Sequence, residues 1–168
     1  MSKTFRVVLL TFSSILVATL ALAQDKPIGP VILSVSSETP QHDTEVMQFD
    51  LEMLENIGLK TIITETPWTS GPVVFEGVLL RDLIATAGAT ENVVSATALN
   101  DYSVRIPAED YNAFDVLLAT RRHGNILTVR DKGPIWIIYP WSDNEVLMKE
   151  VYYSRSIWQL KSITVKSD

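Results

Sequence analysis

Not one cysteine occurs in the 168 residues of this chain. Disulfides, cysteine-based zinc sites, iron–sulfur ligation and a thiolate nucleophile are excluded together, so whatever fold forms is held by packing alone. The same absence removes the residue that a lipidated N-terminus requires.

The N-terminus supplies the second constraint. Lys3 and Arg6 form a short basic region, Val7 to Leu22 is apolar and uncharged, and Ala21-Leu22-Ala23 closes the stretch with a small-x-small pattern. Residues 1–23 read as a secretory signal peptide cleaved before Gln24, which places the mature protein in the periplasm or outside the cell. The stretch is borderline for a spanning helix, which needs roughly 20 apolar residues, and polar residues follow it at once. Residues 24–168 then form a single domain, long enough to bury a real core. The chain carries a formal net charge of −6, and loss of Lys3 and Arg6 makes the mature part more acidic. Such a chain is a poor partner for nucleic acid, whose phosphates need a basic surface.

Along residues 24–168 short apolar runs alternate with turn signals. Val31-Ile32-Leu33 marks one strand within a polar leading segment. Asp50 is placed as the N-cap of a short helix, with Phe49 and Leu54 as its hydrophobic staple and Gly58 at its end. Leu59 to Thr66 reads as a β-branched strand, stopped by the loop from Pro67 to Pro72. Leu80, Leu83, Ile84 and Ala87 have helical spacing, with Gly88 at the C-cap. Asn92 to Leu99 and Tyr102 to Ile106 read as strands joined by a tight turn at Asn100-Asp101. Pro107 opens a brief helical turn through Tyr111. Val116 to Thr120 and Ile126 to Val129 flank a hairpin tip at residues 121–125. Ile135 to Tyr139 is the most apolar strand, Asn144 to Ser154 is helical in pattern, and Ile157 to Val165 is a final strand. Many short strands with a few small helices make an α+β fold of mixed sheets.

Catalytic signatures are missing: there is no G-x-S-x-G, P-loop, H-E-x-x-H or G-x-G-x-x-G. The only histidines, His42 and His123, lie far apart in loop-like stretches and read as solvated residues rather than a zinc pair. The positive signal is in four turns: Trp68-Thr69-Ser70, Asn100-Asp101-Tyr102-Ser103, Arg130-Asp131-Lys132-Gly133 and Tyr139-Pro140-Trp141-Ser142. Each combines an aromatic ring, hydrogen-bonding groups or both at a strand end. Rings beside carboxylate and cationic groups suit a flat, polar heterocycle. Each aromatic alone also reads as a lid on the core with a wet polar tip, and Arg130 and Lys132 as a solvated face. Recurrence over four turns is what supports a ligand.

From Gly71 onward the chain resembles the sulfite oxidase-type molybdopterin-binding family. The resemblance rests on Phe75-Glu76-Gly77-Val78-Leu79-Leu80-Arg81-Asp82-Leu83-Ile84 with Gly88, and on Asn100-Asp101-Tyr102-Ser103 with Ile106-Pro107. It continues through Val116-Leu117-Leu118-Ala119, Gly133-Pro134 and Trp158-Gln159-Leu160-Lys161 with Ile163, in the family's order and over most of residues 49–166. The departures are equally specific. The family's enzymes hold molybdenum through a cysteine placed after an early strand, where this chain reads Leu59 to Trp68 without cysteine. The family's His-Gly-x-Pro-x-Arg is here Asp131-Lys132-Gly133-Pro134-Ile135-Trp136. The chain resembles a branch of small exported proteins without that cysteine. Some of them bind simple pterins in the periplasm and report them to a membrane-bound cyclic-di-GMP enzyme.

The resemblance implies a pterin ligand without molybdenum, a membrane-bound signalling partner, and a role in binding rather than catalysis. On this reading Trp68 and Tyr102, or Trp141, cover the ring faces, and Asp101 or Asp131 accepts from the amino edge. Arg130, Lys132 and Arg155 donate to the carbonyl or side chain, and Asn100, Ser103 and Tyr139 complete the site. Two other readings stand beside it: a molybdopterin-dependent oxidoreductase or electron-transfer subunit, and an interaction module with no ligand.

Overall fold

The computed structural model describes residues 26–38, 44–89 and 93–166. The signal-peptide segment, His42 and the Asn92 start of a strand lie outside these residues. No described helix is long and apolar enough to cross a membrane.

The first two strands are β1 (Leu33–Glu38) and β2 (Thr44–Phe49). Sequence reading placed one strand in the leading segment, two residues early, and missed β2. Helix α1 (Leu51–Asn56) begins where expected: Asp50 Oδ1 accepts from Met53 N at 2.9 Å. The other oxygen of Asp50 accepts from Ile28 N and Gly29 N, at 2.9 and 2.8 Å, so one carboxylate caps the helix and ties down the leading segment. Both staple residues, Phe49 and Leu54, are buried.

Strand β3 (Leu59–Thr64) is followed by β4 (Val73–Leu79), which sequence reading did not assign, and then by α2 (Leu80–Thr86). Gly88 ends α2 with φ +71°, its N–H bonding Ala85 O and that of Ala89 bonding Ile84 O, a Schellman motif. Next come β5 (Val93–Ala98), β6 (Ser103–Ile106), α3 (Ala108–Ala113), β7 (Leu117–Arg122) and β8 (Asn125–Ile126). The β7–β8 hairpin turns on His123 and Gly124, both at positive φ. Its second strand is two residues long, and Val129 instead starts a 3₁₀ turn, Val129–Asp131. Strand β9 (Trp136–Ile138) follows. The helix expected over 144–154 is broken into a 3₁₀ turn, Glu145–Leu147, and α4 (Glu150–Arg155), because Lys149 is extended between them. The last strand, β10 (Leu160–Lys166), starts three residues later than expected.

One sheet has the order β2-β1-β10-β5-β6, with β1 and β10 parallel and its other pairs antiparallel. The second runs β3-β4-β7-β8, and β9 takes the remaining half of the β7 edge, opposite Leu117 to Ala119. Buried residues of both sheets, such as Val94 and Ile163 from one and Phe75, Leu118 and Ile137 from the other, belong to one core cluster. Each such side chain contributes about 1.5–3 kcal/mol by leaving water, which lets the domain stand without cross-links.

Candidate functional site

Trp68 follows β3 in a turn that the local threonines hold. Thr66 Oγ1 accepts from Trp68 N at 3.2 Å and lies 2.9 Å from Thr69 Oγ1, while Thr69 N donates to Thr66 O. The indole so placed is the hub of an aromatic cluster. Its centroid lies 5.8 Å from Trp136, 5.8 Å from Trp141, 5.7 Å from Trp158 and 6.3 Å from Tyr153. All four tryptophans of the chain therefore meet at one point.

Beside this hub lies a cavity of about 350 Å³. Trp68, Tyr102, Tyr153 and Trp158 give it aromatic walls, Ala98 and Ile157 apolar ones, and Asn100, Ser154 and Ser156 a polar edge. The β5–β6 turn presents Asn100 and Tyr102. Asn100 Oδ1 accepts from Tyr102 N at 3.2 Å, and Asp101 takes φ +66°. A further wall is the end of α4 at Tyr153 and Ser154 with the strap from Ser156 to Trp158 that leads into β10. Ser156 is buried; its hydroxyl donates to Tyr152 O and its carbonyl accepts from Trp136 Nε1 at 3.3 Å.

The backbone of Gln159, at φ +53°, follows Trp158 directly. Gln159 N donates to Lys132 O at 2.9 Å and Gln159 O accepts from Leu99 N at 2.8 Å. Three of the non-glycine residues at positive φ, namely Asp101, Lys132 and Gln159, thus lie on three chain segments fastened together around the cavity. Left-handed backbone at such residues costs energy and gathers at functional sites. Lys132 places its ammonium 3.7 Å over the Trp158 ring and 5.2 Å from that of Trp136. Burial pushes its pKa below the usual lysine value.

Of the residues picked from sequence, Trp68, Asn100 and Tyr102 line the cavity and Lys132 stands against one of its walls. The rest are placed elsewhere. Tyr139 and Trp141 are fully buried, so neither ring wall nor hydrogen-bonding edge of the cavity comes from them. The Tyr139 hydroxyl donates to Asp110 Oδ2 at 2.7 Å, and Arg155 Nη1 donates to the same oxygen at 2.8 Å. Arg155 does not line the cavity, and its Nη1 supplies the pairing that the buried Asp110 carboxylate needs. Burial, then the neighbouring Asp110 charge, holds the Tyr139 phenol far above its usual range. Trp141 packs on Trp68, and its Nε1 is buried without a hydrogen-bond partner. Asp101 pairs with Lys161, and Asp131 accepts from Thr128 Oγ1 at 2.8 Å. Neither carboxylate lines the cavity, nor do Ser103 and the exposed Arg130. Sequence reading missed Tyr153, Ser154, Ser156 and Ile157. The adjacent pair Tyr152-Tyr153 on a short amphipathic segment was the available signal. Trp158 enters the sequence reading only through the family resemblance.

A second, wider cavity of about 630 Å³ lies between the leading segment and α1. Two of its charged groups, Glu55 and Arg121, are paired with each other. Glu55 Oε1 accepts from Arg121 Nε at 2.8 Å and Thr120 Oγ1 at 2.7 Å, and Oε2 from Arg121 Nη2 at 3.0 Å. Burial pushes the Glu55 carboxyl up, but these hydrogen bonds and the Arg121 charge outweigh it and leave the pKa lowered.

Comparison with known families places the chain. A family model described as "Oxidoreductase molybdopterin binding domain" matches residues 43–164, and the chain belongs to that family. No curated protein matches it.

The family implies a molybdenum–pterin cofactor, and the residues fit its two halves differently. Aromatic walls with an amide and hydroxyls at one edge suit a planar pterin ring. The metal half has no protein donor of the usual kind, since the chain contains no thiolate. Among the described residues no three His, Cys, Asp or Glu are grouped to hold an ion. A terminal phosphate also lacks a partner in the walls, none of which is Arg or Lys. The donor set therefore matches the ring and not the metal or the phosphate.

Proposed function

We propose that this protein is an exported binding protein for a pterin-type heterocycle, acting by binding rather than catalysis, and that it reports ligand occupancy to a membrane-bound regulator of cyclic-di-GMP. The observation that carries the pterin reading is the convergence of Trp68, Tyr102, Tyr153 and Trp158 on one cavity in a chain of molybdopterin-binding ancestry. Planar heterocycles gain about 0.5–1.5 kcal/mol per well-placed aromatic contact beyond simple burial. Asn100 brings an amide and Ser154 a hydroxyl to select among ring edges. Export is supported by the basic, apolar and small-x-small order of residues 1–23. The signalling role is supported by resemblance to the small cysteine-less exported branch of the family.

The test is to isolate the protein from the periplasm of its native cells, release bound small molecules with acid, and identify them by mass spectrometry. A pterin in near-equimolar amount is the expected result. Recovery of the protein only from the cytoplasm, or no pterin released and none rebound, overturns the reading.

A further inference from the structure

We propose that Lys132 is the positioning residue that fixes the Trp158 wall of the cavity, holding the indole by a cation–π contact so that a ligand meets it already oriented. The inference rests on the pterin reading for its ligand, but its geometry is independent of it.

The Lys132 ammonium stands 3.7 Å from the Trp158 ring centroid and occupies one face of that indole. Trp158 is partly exposed, 38 % accessible, and joins α4 to β10 in a strap rather than in a strand. A half-exposed indole on a strap has rotamer freedom to lose, and a ligand that must order it binds more weakly. Lys132 removes that freedom beforehand. Its ammonium forms no ion pair with any described carboxylate, so the two tryptophan rings are its partners. A cation held between rings and partly desolvated makes the strongest contact of this type.

The backbone supports the assignment. Lys132 sits at φ +73°, a conformation that favours glycine. A lysine held in this conformation offers what glycine there could not, a side chain long enough to reach the two indoles. The carbonyl of Lys132 is also bonded to Gln159 N, next to Trp158, so the cation and its ring are held in register by main chain as well.

The experiment compares Lys132→Met and Lys132→Arg. Both keep a long side chain and the same backbone strain, but only arginine can stack a cation on the indole. Two readouts are taken: the near-UV circular dichroism of the ligand-free protein, with the Trp158 contribution assigned from Trp158→Phe, and the affinity for 2-amino-4-oxopteridine. Lys132→Met is expected to lose the Trp158 band and weaken binding about tenfold while the fold is retained with a melting temperature lower by only a few degrees, with Lys132→Arg restoring both readouts. Wild-type binding that survives Lys132→Met, or falls equally with Lys132→Arg, overturns the inference. If the wild-type chain takes up no pterin, the functional reading fails instead. The ligand-free spectrum then decides for Lys132, and a Trp158 band unchanged in Lys132→Met overturns its role.

Discussion

The indole of Trp158 stands edge to face against that of Trp68, centroids 5.7 Å apart and planes at 79°. One ring comes from the turn after β3 and the other from the strap before β10, so the pair closes the cavity from two distant parts of the chain. Trp68→Ala removes the hub on which three further aromatic contacts depend. It is expected to weaken pterin binding at least tenfold and to destabilise the fold by about 2–3 kcal/mol, less than for a fully buried indole. Urea denaturation and ligand titration of the same sample separate the two effects.

The buried Asp110 carboxylate accepts from both Tyr139 and Arg155. Tyr139→Phe removes one donor and is expected to cost about 1–2 kcal/mol. Asp110→Ala leaves the phenol and the guanidinium without their acceptor and is expected to cost about 3 kcal/mol or more. Since both changes act on one network, the double variant should cost less than the sum of the singles. Additive costs in denaturant melts would show that the network does not couple them.

Acid should weaken the fold through two carboxylates. The Asp50 pKa is lowered chiefly by the Met53 and Gly29 N–H groups, and that of Glu55 by Arg121 and Thr120 against the opposing effect of burial. A carboxylate with a depressed folded-state pKa contributes stability above its unfolded pKa, and that stability is lost as pH falls through the folded value. The loss should therefore begin near the ordinary values of 3.8 for Asp50 and 4.5 for Glu55 and continue below them. Glu55→Gln is expected to be less stable than wild type at neutral pH and to show a shallower decline below pH about 4.5. Equal slopes in wild type and variant would contradict this.

Gly77 lies where β7 crosses closest to β4. A Cβ there would stand 2.1 Å from the Leu118 carbonyl oxygen, a backbone atom that cannot swing aside. Gly77→Ala is expected to destabilise by about 3 kcal/mol or more, or to prevent folding, as seen in expression level and thermal melts.

The same glycine explains part of what could not be read from sequence. Val73–Leu79 is hard to read as a strand because Gly77 interrupts its β-forming residues, yet the absence of a side chain at Gly77 is what lets β7 come so close, beside a register shift that leaves Thr120 unpaired in the β4–β7 ladder. Helix boundaries were legible where a local device sets them: the Asp50 cap and the Gly88 terminus both lie within a few residues of what they satisfy. The break in the helix expected over 144–154 was not legible, because helical spacing continues through Lys149 while the backbone there is extended.

The site was half visible for a related reason. Aromatic turns announced Trp68 and Tyr102, but composition cannot separate a ring on a cavity wall from one in the core. Tyr139 and Trp141 share the turn chemistry of Trp68 and are buried, one satisfied by Asp110 and the other packed behind Trp68. The pairing of Asp101 with Lys161 was not legible, because the two are remote in sequence and close only in the fold.

Calorimetric titration of the mature chain, residues 24–168, with a panel of reduced and oxidised pterins tests the central claim most directly. Any carried-over ligand is first removed by unfolding and refolding. Binding at micromolar or tighter affinity, lost in Trp68→Ala and weakened in Tyr102→Ala, is the expected result. Absence of heat and of any thermal shift with every pterin would contradict the account and leave a molybdopterin-family fold whose aromatic cavity serves something other than a pterin.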